Sequence, residues 1–201
     1  MKQLDAVNYL LGILGSSPVG SLDNKNPDVT TATDALDAAV SSVTGMGFWF
    51  NKVYNIEFSP DPLDNHINTA GYTKLITHSA FAVVRGEVLF DPINNTYAFE
   101  KSVFADAVEI LDFELLPDSV QEAVQYFAGM QLASVELEDQ GKVTEQRGFY
   151  ASAFAQVKAE DLEITRRNIL TTPRVSQALH RVQPYRGGVS RTNPNIPGGG
   201  R

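Results

Sequence analysis

Apolar residues recur every three or four positions at both ends of this chain and close to every second position in its middle, so helices must flank a β-rich segment. Leu4, Val7, Leu11 and Leu14 mark a first helix over residues 3 to 14, with Gly15 as its stop and Pro18 forbidding continuation. Asn26-Pro27-Asp28 supplies a capping side chain, a preorganised first-turn residue and a negative charge for a second helix. That helix runs to about residue 46, where Gly45 and Gly47 end it. Its inward stripe is Val29, Ala32, Leu36, Ala39, Val40 and Val43, small enough for a close neighbour.

From Phe48 the period changes. Phe48, Phe50, Tyr54, Ile56 and Phe58 approach alternation and predict a strand, which Pro60-Asp61-Pro62 breaks. A polar loop through Gly71 precedes short strands over residues 72 to 76 and 81 to 84. Residues 87 to 90 and 97 to 101 flank Asp91-Pro92-Ile93-Asn94-Asn95-Thr96, which predicts a hairpin, and Val108, Ile110 and Phe113 add one more strand. Leu116-Pro117-Asp118-Ser119 opens a third helix, with Val120, Ala123, Val124, Phe127, Met130 and Leu137 on one face up to about residue 139. Gln140-Gly141 is a tight connection to a fourth helix over residues 143 to 168, carrying Tyr150, Ala153, Phe154, Val157 and Ile164. At ~1.5 Å per residue it would be about 39 Å long. The expected fold is α+β: an antiparallel four-helix bundle from residues 1–46 and 116–170, a small antiparallel β-sheet region inserted at 47–115, and an extended C-terminal arm at 171–201.

With 201 residues and 43% hydrophobic content the chain can bury a proper core. Its net charge of −8 argues against a clamp for naked nucleic acid. Every acid lies at or before Glu163; up to residue 170, eleven basic residues face twenty-four acidic ones, a formal −13, whereas residues 171 to 201 carry five arginines and are +5. The arm holds Pro173, Pro184, Pro194, Pro197 and Gly198-Gly199-Gly200, a composition without a core of its own, and composition alone leaves both a solvated tail and a binding role open. The apolar run over residues 9 to 14 is too short to span a membrane, and no membrane partner is expected. Lys2 ahead of that run and Gly15-Ser16-Ser17 behind it mimic a secretory leader, but the amphipathic helix is the better reading.

Catalytic chemistry finds few footholds. The absence of Cys removes disulfides and thiolates, and His66, His78 and His180 lie too far apart in sequence to pair on one helix face, so no metal or other cofactor is expected. Neither a nucleotide-binding glycine pattern nor a nucleophile elbow occurs. Glu136, Glu138 and Asp139, like Glu160, Asp161 and Glu163, read as solvated helix faces. Asp61, Asp64 and His66 could cooperate as acid and base, although a polar loop tip is the simpler account. Trp49 could stack on a base or sugar, but core packing explains it more simply. The chain reads as an assembly part.

The opening Leu4-Asp5-Ala6-Val7-Asn8-Tyr9-Leu10-Leu11-Gly12-Ile13-Leu14-Gly15-Ser16-Ser17-Pro18-Val19 resembles the start of the tail tubular protein A family, the head-to-tail adaptors of short-tailed bacteriophages. Gly47-Phe48-Trp49-Phe50-Asn51 is similar to the family's Gly-Trp-x-Phe-Asn step, with Phe48 inserted before the Trp position. Pro60-Asp61 resembles its Pro-Asp pair, and Leu116-Pro117 similarly opens the third helix, whereas residues 62 to 115 and the arm carry no matching motif. The matching positions are Leu4, Val7, Leu11, Pro18, Trp49, Phe50, Asn51, Pro60, Asp61 and Pro117.

The resemblance implies a non-enzymatic virion tail component, made in the host cytoplasm. It implies a homo-oligomeric ring of twelve copies beneath the portal protein, continuous with the tail nozzle (tubular protein B-like) protein, with tail fibres attaching near that junction. DNA would pass through the ring without specific binding, along a lumen lined by acidic residues. Arg174, Arg181, Arg186 and Arg191 of the arm would then order on the portal and pair with its carboxylates. Two other expectations stand beside it. One is a virion-associated glycan hydrolase or carbohydrate-binding tail component using Asp61, Asp64 or Glu57; the other is a monomeric binding module that forms no ring.

Overall fold

A computed structural model describes residues 1–23 and 26–171, with side chains described to residue 165. One compact unit spans Met1–Glu163; a second begins at Ile164, within the last helix. The architecture is α+β, with four helices and small antiparallel sheets.

Helix α1 spans Gln3–Leu14 and closes on Gly15, whose left-handed φ of 82° lets the Ser16 N–H donate back to the Leu11 carbonyl at 2.9 Å. Its buried face is broader than the expected stripe: Ala6, Val7, Leu10, Leu11 and Ile13 are buried, while Leu4 and Leu14 are half-buried. The cause is that α1 packs on two helices at once. Helix α2 spans Pro27–Thr44, and the Asn26 side chain accepts from the Asp28 N–H at 3.0 Å. All six residues of its expected stripe are buried.

Strand β1 is Lys52–Phe58, β2 is Tyr72–Thr77, β3 is Val83–Arg85, β4 is Val88–Phe90 and β5 is Val103–Glu109. The larger sheet has the order β1-β5-β2, antiparallel throughout, and β3 pairs with β4 across the turn at Gly86-Glu87. Gly86 has φ 65°, the left-handed geometry such two-residue hairpins need.

Four sequence expectations fail in this region. Residues 48 to 51 form a turn, so the strand begins only at Lys52. Residues 97 to 101 pair with no strand; the hairpin partner of β4 is β3. The Asp91 carboxylate satisfies the Ile93 and Asn94 N–H groups and the Asn94 side chain, closing residues 91 to 96 as a self-contained turn. The last strand starts at Val103 and ends at Glu109, leaving Ile110 outside it, and Phe113 sits in a single 3-10 turn, Phe113–Leu115.

Helix α3 spans Asp118–Val135, shorter than expected, so Leu137 lies beyond its end. Val120, Ala123 and Val124 are buried as expected, but the core then continues through Ala128, Gly129, Leu132 and Ala133, with Phe127 and Met130 half-buried. The small residues permit close approach: a Cβ on Gly129 would lie 2.7 Å from Ile13 Cδ1. Helix α4 spans Gln140–Thr171, 32 residues and so about 48 Å. It starts earlier than expected because Asp139 Oδ1 accepts from the Gly141 and Lys142 N–H groups at 2.9 and 3.1 Å. Gln140-Gly141 is therefore first turn rather than connection.

Apolar side chains gather in two clusters. One joins the helices, the other lies under the sheets around Phe58, Ile67, Leu89, Phe99, Val103 and Ala105. Residues of α4 reach both α1 and α3: the Tyr9 hydroxyl donates to Gln146 at 3.0 Å, Ser119 donates to Glu160 at 2.6 Å, and the Phe127 and Tyr150 rings meet tilted at 46° with centroids 5.1 Å apart.

Candidate functional site

The turn at residues 47 to 51 joins helices to sheet, and Asn51 organises it. Its Oδ1 accepts from the Phe48 N–H at 2.9 Å, and its Nδ2 donates to the carbonyls of Thr44 and Glu109, each at 2.9 Å. At 1% exposure, this amide needs all of those bonds. Asp161 Oδ1 accepts from the Trp49 N–H at 2.9 Å, tying the turn to α4. Trp49 and Phe50 are half-buried against the helical core with rings edge to face at 5.3 Å. Two residues read from sequence as solvated helix face, Glu160 and Asp161, are thus structural acceptors. Gln156, one helical turn before Glu160, is a local donor to it at 3.0 Å, but the donors that tie these two acids to other elements lie 41 and 112 residues away, beyond the reach of local spacing.

Of the other positions singled out, Val7 and Leu11 are fully buried in α1, Leu4 is half-buried, and Pro18 is exposed. Pro117 caps α3. Pro60 and Asp61 begin a loop closed by its own hydrogen bonds. Asp61 Oδ1 accepts from the Leu63 N–H at 2.8 Å, Asp64 Oδ1 accepts from the His66 N–H at 2.9 Å, and Asp64 Oδ2 lies 3.3 Å from His66 Nδ1. Asn65 takes a left-handed φ of 60° to close the turn. Asp61, Asp64, His66 and Glu87 share a shallow cleft of about 320 Å³, whereas Glu57 lines a separate one with Asp61 and His66. The loop presents Leu63 at 95% exposure.

The sheet carries an open apolar groove of about 720 Å³, lined by Met46, Val53, Leu75, Ile76, Val83 and Val108 among others, with Lys52 and Lys74 as its basic residues. Nearby, Asp106 on the central strand accepts from the Asn55 N–H at 2.9 Å and lies 2.8 Å from His78 Nε2. The hydrogen bond from His78, then that from Asn55, holds the Asp106 carboxyl below its ordinary range. Asn55, at φ 55°, occupies the irregular step in the pairing of β1 with β5 between Val53 and Ile56.

A fourth hollow, about 470 Å³, is acidic and runs along α2 and the 3-10 turn, lined by Asp37, Asp112 and Glu114. Partial burial, then the neighbouring charges of Asp34 and Asp112, push the Asp37 carboxyl above its ordinary range. Among the described residues no cluster of three or more His, Cys, Asp or Glu could hold a metal ion, and no helix is long and apolar enough to cross a membrane. Arg174, Arg181, Arg186 and Arg191 lie outside the described residues.

The chain is thus α+β in class, with one apolar cluster among its helices and a second under its small antiparallel sheets. The Tube family model, described as "Tail tubular protein", matches residues 4–178, and the chain belongs to that family. It is 31% identical over 145 residues to "Tail tubular protein A" of Klebsiella phage KP34, covering 70% of this chain and 75% of that one. The chain is accordingly a structural component of a phage tail, part of the virion.

Proposed function

We propose that the chain is a head-to-tail adaptor: a ring, most simply of twelve copies, that docks beneath the portal protein, continues into the tail nozzle and encloses the channel through which DNA leaves. In this reading residues 1–46 and 116–170 form an antiparallel four-helix bundle, residues 47–115 an inserted β-region, and residues 171–201 an arm that orders on the portal. The observation that carries it is a family match running from the first helix past the fourth in a chain of net charge −8. A conduit for a polyanion must not hold phosphate, and an acidic subunit repeated around a ring repels what it passes.

Asp37, Asp112 and Glu114, which line the acidic hollow, and Asp34, whose charge acts on Asp37, are the residues assigned to the lumen; burial first, then the charges of Asp34 and Asp112, raises the Asp37 carboxyl. The arm's arginines pair with portal carboxylates, a salt-sensitive attachment. The nozzle protein and the tail fibres meet the opposite end of the ring. DNA makes no specific contact, and neither cofactor nor membrane enters.

Negative-stain microscopy of the protein mixed with portal tests the assignment. A second annular layer beneath the portal is the expected result; a portal left bare overturns it, and a ring whose channel wall is predominantly basic overturns the repulsive lumen. The shared cleft of Asp61, Asp64 and His66 favours one other reading, a virion-associated glycan hydrolase. That reading requires purified subunit to turn over a capsule oligosaccharide and Asp64→Asn to abolish it; the adaptor reading expects no turnover and normal assembly.

A further inference from the structure

We infer that the apolar groove on the sheet is the receptor for Leu63 of a second copy of the chain, so that subunits join head to tail through this knob and this groove. The inference rests on the ring reading and gives that ring a specific contact.

The knob is built to be exposed. Leu63 is 95% exposed, more than any other large apolar side chain described, and it is no loose loop tip. The Asp61 carboxylate holds the Leu63 N–H, the Asn65 N–H donates to the Asp61 carbonyl at 2.8 Å, and the Asp61 N–H donates to the His66 carbonyl at 2.8 Å. A loop whose backbone is already held by its own bonds has less freedom left for binding to take, which leaves mainly the leucine rotamers to be ordered.

The groove offers apolar lining and basic residues to an acidic loop with an apolar tip. It exposes Ile76 at 68% and Val83 at 38%, on a surface large enough to seal a leucine from water. Lys52 and Lys74 border it and, among the described residues, make no salt bridge, while its one carboxylate, Asp106, is engaged by His78 and Asn55. The knob carries Asp61 and Asp64 on either side of Leu63, both bonded within the loop, with His66 3.3 Å from Asp64 and no Lys or Arg in it. Within a body of formal −13, a lysine pair beside an apolar hollow is the natural seat for an acidic loop with an apolar tip.

Knob and groove are different surfaces of one subunit. The groove includes Lys52, Val53 and Tyr54 at the start of β1, whereas Leu63 follows that strand's end. A contact between unlike patches is heterologous, and heterologous contacts close into rings when the rotation per subunit permits.

The chain has no Cys, so introduced thiols are its only ones. The test uses the full chain with portal, comparing wild type, the Leu63→Cys/Val83→Cys variant and Leu63→Asp. The expected result is an annular layer in which the double-cysteine variant oxidises to a ladder of covalent multimers, while Leu63→Cys alone gives none. Leu63→Asp should keep the wild-type melting temperature and lower assembly about tenfold. An annulus that forms without the ladder, or one that Leu63→Asp leaves intact, overturns the inference with the ring reading untouched. Equal cross-linking by a Leu63→Cys/Val135→Cys control on α3 also overturns it. Absence of any annulus with wild type overturns the ring reading instead.

Discussion

The side-chain amide of Asn51 donates at 2.9 Å to the backbone carbonyl of Glu109, 58 residues further along the chain, and so binds the entrance of the β-region to its exit. The same amide group donates to Thr44 and accepts from Phe48. Asn51→Ala strips three hydrogen bonds from a buried site and leaves their backbone partners unsatisfied, a loss of about 3 kcal/mol. Urea unfolding is expected to show that loss as a lower midpoint.

Two glycines with nearly equal backbone angles should respond differently to the same change. Gly15 and Gly47 have φ of 82° and 79°, but a Cβ at Gly15 meets nothing within 4 Å, whereas at Gly47 it would lie 2.8 Å from Val108 Cγ2. Gly15→Ala costs only the left-handed strain, about 1 kcal/mol. Gly47→Ala adds a clash with a buried valine and should cost about 3 kcal/mol in total. Thermal unfolding of both variants separates strain from packing.

Asp106 makes a prediction about acid. Its carboxyl is held below the ordinary value by the bonds from His78 and Asn55, so the folded state favours the charged form. The stability this contributes is present above the ordinary carboxylate value and is lost as pH falls through the lowered one. Asp106→Asn should therefore destabilise the protein near neutrality and flatten the acid limb of its melting temperature against pH. An acid limb as steep in the variant as in the wild type would contradict this role.

Ending the chain at residue 170 removes five arginines and no acid. The helical core lies before that point, so the truncated protein should melt as the full chain does. Under the adaptor proposal its attachment to portal weakens, and the remaining attachment loses most of its salt dependence. Co-sedimentation with portal at two ionic strengths measures both, and unchanged attachment removes the arm from the portal interface.

The helices were legible because their determinants are local. Asn26 caps α2 from two residues away, and the six stripe residues of that helix are buried as their spacing predicts. The turn at Phe48 was not legible. Alternating aromatics there resemble a strand, and what bends them is a set of bonds from Asn51, Glu109 and Asp161 that only the folded chain assembles. The β4 hairpin failed for a related reason: two turns competed for one strand, and the Asp91 side chain closed its own while Gly86 supplied the pairing. Of the candidate surfaces, the acidic balance was visible in the composition. The leucine knob was not, because Pro62 and two aspartates around one apolar residue read only as a break, and exposure is decided by the bonds that hold the loop.

Lys52 and Val108 sit opposite each other in the first pair of β1 and β5, so the polypeptide enters and leaves the sheet region through a single doorway. A segment grafted at one doorway can be lengthened, trimmed or exchanged without reshaping the helices that carry it. Relatives facing different tail machinery can therefore be expected to diverge beyond that threshold while keeping the helical frame.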